Sequence, residues 1–384
     1  MQNKEIRNQF PLANQITYFD NAALVLKPQS AIDAVTDFYT NKSISSRTAD
    51  TPLGNEVNNT LHRVREKVAT LLDCQSSEII FTSGTTESLN NFAWMVEPLL
   101  NEGDEILLSV NNHSSNIVPW IEVAKKTGAK VVYSEDIESH LSAKTKILAI
   151  SQESNNFQNQ FEFDALIAKA RSFNAIIVAD AAQAIIHQKV SLQKVDVAVF
   201  SCNKFYGPTG LGVLAIRKNL LAKLSPAKFG GGSITEIKKD STWGLRQTIT
   251  AFEPGTPNLA AFFMFDKALD FFNSVGYQKT QNILEDLSQY LHSKLAKLSN
   301  VKVYSNPGDY IAILNVKGIH PQDVATYLGS KNIYTRAGIF CALYMRNVLT
   351  EDSFLRISLA IYNTYEDIDK LVYELEHGGD FYAF

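Results

Sequence analysis

Short runs of Ile, Val and Leu that alternate with amphipathic stretches predict an α/β chain built on a mostly parallel sheet, followed by a smaller α+β part. The chain has 384 residues, and domains usually take about 100–200, so two or three domains are expected. Hydrophobic residues make up 45% and charged residues 20%, a balance that buries a core and excludes a mainly disordered chain. Thirty-six Lys and Arg against 40 Asp and Glu leave a net charge of −4, with no overall pull toward nucleic acid or an anionic membrane.

The elements follow in order. A solvated amphipathic helix is expected near 57–72, in HRVREKVATLL. From 78 to 217 come the apolar runs EIIFTS, DEILLSV, AKVVYSE, TKILAIS, NAIIVAD, VDVAVFS and GVLAIRK. They show little polar alternation, as strands covered on both faces do. TTESLNNFAWMVEPLLNEGDE and FDALIAKARSFNA lie between them with apolar residues at helical spacing. EPGTPNLAA, with two prolines and a glycine, marks a boundary or an ordered loop. A long helix over 260–299 with an interruption at Gly276 comes next. VKVYS, YIAILNV, a helix near 322–329, NIYTRAG, FLRISLA and a terminal helix near 366–377 complete the chain.

The three cysteines, Cys74, Cys202 and Cys341, are odd in number and form no CxxC pair. A reducing, cytoplasmic compartment without structural metal is expected. The N-terminal residues lack the apolar stretch of a signal peptide, and no apolar run reaches the roughly 18 residues of a membrane span.

Three strand ends carry polar groups where open α/β sheets bind ligands. Gly84, Thr85 and Thr86 open a helix; they suit a phosphate, or equally a simple N-cap. Asp180 ends an apolar strand, either capping the next helix or facing a cationic ring nitrogen. Lys204 follows VDVAVFS, either as a surface lysine or as an amine with a lowered pKa. A phosphate turn, a carboxylate and a lysine 24 residues beyond it are together what pyridoxal phosphate requires.

The chain resembles the aminotransferase class V family of fold-type-I pyridoxal phosphate enzymes, and within it the Suf-type cysteine desulfurases, which overlap with selenocysteine lyases. The resemblance runs from ITYFDNAA through FTSGTTESLN, NHSSNIVPW, ADAAQA, SCNKFYGPTGLG and FEPGTPN to RAGIFCA and LRISLAIYNT. It implies a large cofactor-binding domain over 20–258 and a small domain made of 1–19 and 259–384. It also implies roles for single residues. Lys204 would hold the cofactor, Asp180 its ring nitrogen, and His113 would stack on the ring. Gln183 and Asn155 would bond the ring oxygen. Thr85, Thr86 and Ser201 would contact the phosphate, and Thr256 that of a neighbouring subunit in a homodimer. Arg356 would clamp the substrate carboxylate. Cys341 would attack the sulfur of L-cysteine as thiolate, giving L-alanine and a persulfide. The sulfur would pass to an acceptor protein, plausibly for iron–sulfur cluster assembly.

Four positions depart from the family pattern. Asn203 stands where a histidine precedes the lysine. Ile339 and Phe340 stand where two histidines precede the cysteine, and Ser83 replaces an arginine. Losing the imidazoles removes proton-transfer capacity near Cys341. A selenocysteine lyase or another carbon–sulfur lyase on the same fold, or a cofactor-binding scaffold with reduced turnover, is therefore the alternative expectation.

Overall fold

The computed structural model describes residues 3–48 and 50–378. The ends of the expected small domain, 1–2 and 379–384, lie outside the described residues.

Among the described residues fifteen strands are numbered in chain order. After β1 (Thr17–Tyr18) come β2 (Ile79–Thr82), β3 (Glu105–Ser109), β4 (Lys130–Ser134) and β5 (Thr145–Ser151). They are followed by β6 (Ile176–Asp180), β7 (Val197–Ser201) and β8 (Gly212–Ile216). The strands from β2 to β8 form one sheet in the order β2-β8-β7-β6-β5-β3-β4. Every predicted run is a strand of this sheet; GVLAIRK becomes its one antiparallel member, paired with both β2 and β7.

The apolar runs have a simple cause. Side chains alternate across a strand, and here both sets are covered. Ile79 and Phe81, Leu148 and Ile150, and Ala198 and Phe200 join one core cluster. Their neighbours Ile80, Ile147, Ala149, Val197 and Val199 join a second cluster on the other face.

The helix Pro52–Leu71 begins where Thr51 accepts a hydrogen bond from the Gly54 N–H (3.2 Å) and proline fills the first turn. It buries Val57, Val64 and Val68, at the spacing of one helical face. The helix Leu259–Leu295 is broken at Gly276, whose φ of 76° and ψ of 166° only glycine adopts freely. Before the break, Asp266 is paired with Arg63 (2.9 Å) and Lys67 (2.7 Å) of the helix Pro52–Leu71. Beyond it, Lys294 is paired with Asp369 of the terminal helix Tyr365–His377 (2.7 Å).

Between β8 and the broken helix stands a hairpin of β9 (Ile234–Ile237) and β10 (Trp243–Leu245) that the apolar pattern does not announce. It is largely exposed, so no buried face imposes alternation on it. The C-terminal part has β11 (Val301–Val303), β12 (Ile311–Val316), β13 (Ile333–Tyr334), β14 (Arg336–Gly338) and β15 (Phe354–Ser358). Four of these make an antiparallel sheet in the order β11-β12-β15-β14. β13 pairs in parallel with β1 instead, and Asp20 bridges to Ser358. The N-terminal segment is thereby fastened to the C-terminal sheet. Among the described residues no helix is long and apolar enough to cross a membrane.

Candidate active site

A cavity of about 270 Å³ opens where the C-terminal ends of β2, β5, β6 and β7 face β14, β15 and the segment after β14. Ten of the eleven expected site residues line it. Thr85, Thr86, His113, Asn155, Asp180, Gln183, Ser201 and Lys204 come from the large-sheet side, and Cys341 and Arg356 from the other. Thr256 does not; it is exposed in the loop ahead of the broken helix.

The phosphate-like end is built around the N-terminus of the helix Thr85–Val96. The Thr85 N–H donates to Ser201 Oγ (2.7 Å), and the two hydroxyls meet at 2.8 Å. Thr86 Oγ1 meets Ser115 Oγ at 2.8 Å. Hydroxyls and the positive end of a helix dipole gathered at one point suit an anion. The turn comes this close to the sheet because Gly212 has no side chain; a Cβ there would lie 2.4 Å from the Gly84 Cα.

Asp180 is buried at the end of β6, with Oδ1 accepting from the Ala182 N–H (3.0 Å). Burial raises its pKa, and Lys204 opposes that shift. Lys204 ends the single turn Cys202–Lys204 that follows β7. Burial lowers its pKa, with Asp180 working against burial and Arg356 adding to it. The amine is thus shifted toward its neutral, nucleophilic form. Behind it, Lys27 Nζ donates to the carbonyl of Asn203 (2.8 Å), and burial pushes that ammonium down to about 7.

His113 Nδ1 accepts from the Ser115 N–H (3.1 Å), which leaves the ring proton on Nε2. Burial, aided by Lys204 and Arg356, lowers its pKa to about 4, so the imidazole is neutral at pH 7. Gln183 Nε2 donates to the Ala22 carbonyl (2.8 Å), and Asn155 Nδ2 to the Phe340 carbonyl (2.8 Å). Each amide nitrogen keeps a second hydrogen for a ligand.

On the opposite wall Arg356 is 1% exposed. Nη2 is paired with Asp20 Oδ1 (2.7 Å) and Nη1 donates to the Asn155 carbonyl (2.9 Å). Nε is buried without a hydrogen-bond partner among the described residues. A buried guanidinium with an unused donor beside a cavity is costly unless something arrives to take it. Arg336 also lines the cavity, 3.6 Å from the other oxygen of Asp20.

Cys341 is exposed in this cavity, whereas Cys202 is fully buried. Cys74 is half-buried, and burial pushes its thiol up to about 12. The segment around Cys341 is not a free loop. Its carbonyl accepts from the N–H (2.8 Å) and Oγ (2.6 Å) of Ser114. Ile339 packs with Val110, Ala342 and Met345, and Phe340 with Ala22, Ile311, Ile313 and Phe354.

Sequence reasoning passed over Asp20, Lys27 and Glu153, and took Arg336 only as positive charge near Cys341. Asp20 lies in a quoted motif, so a carboxylate there was visible without a partner to assign. Glu153 lines the cavity and accepts from Gln188 Nε2 (2.5 Å), His187 Nδ1 (3.1 Å) and the Tyr310 hydroxyl. Its partners stand 34, 35 and 157 residues away, so nothing local marks it.

The residues present fit pyridoxal phosphate. An anion cradle, a buried amine and a buried carboxylate line one cavity, and the amine and carboxylate shift each other's pKa.

Comparison with known proteins agrees. The chain is 34% identical to a probable cysteine desulfurase of Ureaplasma parvum, over 93% of this chain and 92% of that protein. It is 34% identical to one of Halalkalibacterium halodurans, over 99% and 98%. It superposes on the cysteine desulfurase CsdA of Escherichia coli with a TM-score of 0.89 and 32% identity, covering 96% of each chain. The cysteine desulfurase of Thermococcus onnurineus matches with a TM-score of 0.91 and 28% identity, covering 98% of each. The aminotransferase class-V family matches residues 17–371, and the chain belongs to that family, whose cofactor is pyridoxal phosphate.

Proposed function

We propose that the protein is a cysteine desulfurase that takes sulfur from L-cysteine, releases L-alanine and leaves a persulfide on Cys341. The observation that carries this reading is the placement of an exposed thiol in one cavity with Lys204, Asp180 and an Arg356 whose Nε is unused.

Lys204 holds the cofactor, Asp180 its ring nitrogen, and Thr85, Thr86 and Ser201 its phosphate, with His113 against the ring and Gln183 and Asn155 at the ring oxygen. When bound, the cofactor supplies an electron sink for the carbon next to the substrate nitrogen. Arg356 receives the substrate carboxylate as a planar fork. Lys204, neutral through burial, accepts the Cα proton at Nζ. The thiolate of Cys341 attacks the substrate sulfur; the Sγ–S bond forms as the carbon–sulfur bond breaks. The carbon skeleton takes up two protons, one at Cβ in place of the sulfur and one back at Cα from Lys204 Nζ, and leaves as alanine. The neutral His113 does not add a second positive charge beside Lys204.

The sulfur then passes to an acceptor protein serving iron–sulfur cluster assembly in the cytoplasm. A homodimer is part of the reading, with the exposed Thr256 reaching the neighbouring subunit's phosphate site. The division into 20–258 and 1–19 plus 259–384 is supported by the pairing of β1 with β13. The selenocysteine lyase alternative draws on the apolar Ile339 and Phe340 beside the thiol; relative turnover of cysteine and selenocysteine separates it. The test of the main reading is alanine formation with persulfide trapping. Cys341→Ala is expected to abolish both with cofactor binding intact. A variant that makes alanine and persulfide as fast as the parent excludes Cys341 as the nucleophile.

A further inference from the structure

Phe340 immediately precedes Cys341 and sits at a junction. Its ring lies 4.6 Å from the guanidinium carbon of Arg356. Its carbonyl accepts from Asn155 Nδ2 (2.8 Å), and the Asn155 carbonyl in turn accepts from Arg356 Nη1 (2.9 Å). The three residues therefore close a loop of contacts. Each holds the next, and the guanidinium is gripped on one face by the ring and at two edges by Asn155 and Asp20.

The ring itself is fixed. Phe340 is 5% exposed and packs with Ala22, Ile311, Ile313 and Phe354. Its backbone takes a left-handed φ of 55°, and Cys341 follows with 61°. Such conformations are unfavourable for residues with a Cβ, so the surrounding packing must hold them. An arginine over an aromatic face gains most when water is excluded, and Arg356 is almost fully buried.

We infer that Phe340 is a positioning residue for substrate recognition, orienting Arg356 toward the substrate carboxylate while its peptide bond fixes where Cys341 stands. The inference rests on the proposed role of Arg356. It makes carboxylate binding and thiol placement depend on one side chain, which a histidine-free segment supplies through packing.

The test compares Phe340→Leu, which keeps apolar bulk but loses the ring face, with Phe340→Tyr, which keeps it. Phe340→Leu is expected to raise KM for L-cysteine about tenfold while kcat changes less than about threefold. Phe340→Tyr is expected to stay within about threefold of the parent on both. Titration with L-alanine, followed through the cofactor's absorbance, is expected to weaken by the same factor in Phe340→Leu. Titration with ethylamine, which has no carboxylate, is expected not to change. An unchanged KM and L-alanine affinity in a folded Phe340→Leu overturns the inference, as does equal weakening toward ethylamine. A parent that binds L-alanine but makes none from cysteine would defeat the desulfurase reading instead, and the L-alanine titration would still decide the role of Phe340.

Discussion

The two walls of the cavity are built on different terms. The wall from the seven-stranded sheet sets polar side chains at strand ends, and two of them are committed to a partner close in sequence: Asp180 to the Ala182 N–H and His113 to the Ser115 N–H. The wall from β14, β15 and the Cys341 segment carries one buried cation, Arg356, which is oriented by neighbours from three parts of the chain: Asp20, Asn155 and Phe340. A cofactor presents the same groups in every turnover, so residue type and local turn geometry suffice to hold it. A reacting thiol and a substrate carboxylate need relative position above all, and packing supplies that.

The largest effect that would sharpen this contrast belongs to the first wall. Lys204→Ala is expected to lower alanine formation by on the order of 10³-fold or more and to remove the visible absorbance of the purified protein. A yellow, active variant would break the account of that wall. Next, Arg356→Lys keeps the charge but loses the fork. It is expected to raise KM for L-cysteine by about 30-fold with a smaller change in kcat, measured by steady-state kinetics. If kcat falls instead and KM holds, the second wall acts on chemistry rather than on binding.

Gly212→Ala probes the backbone beneath the phosphate-like end. Its Cβ would sit 2.4 Å from the Gly84 Cα, so backbone must move. A loss of about 1–3 kcal/mol is expected from overpacking, seen as a Tm lowered by a few degrees and weaker cofactor retention. The smallest effect is a titration. His113 is expected to show an NMR midpoint near pH 4 and no change across pH 6–8. Its folded pKa lies below the unfolded value, so the unfolded chain binds more protons between the two. His113 thus contributes stability above about pH 6.5 that is lost as pH falls toward 4.

Gly84–Thr86, Asp180 and Lys204 of the first wall were legible in the amino-acid order because their signals are local, whereas His113, Asn155, Gln183 and Ser201 were named only through the resemblance. A strand, a turn and a helix start stand within a few residues of one another at Gly84–Thr86, Asp180–Gln183 and Ser201–Lys204. The broken helix was legible for the same reason, through one glycine. The second wall was legible only by resemblance. Arg356 and Asp20 are 336 residues apart, and Arg356 and Asn155 are 201 apart. Nothing in either neighbourhood states that they meet. Phe340 reads as a lost imidazole in the sequence and as an aromatic platform in the fold. The exposed hairpin β9–β10 left no trace because its strands bury too little to be patterned.

The break at Gly276 carries a last consequence. As one straight rod, 37 helical residues would span about 55 Å. Instead the first stretch is riveted to the helix Pro52–Leu71 through Asp266, and the second to the terminal helix through Asp369. The joint between them is a single peptide unit in a conformation that other residues resist. The angle at which the second stretch leaves the first is thus set by the two backbone torsions of one glycine.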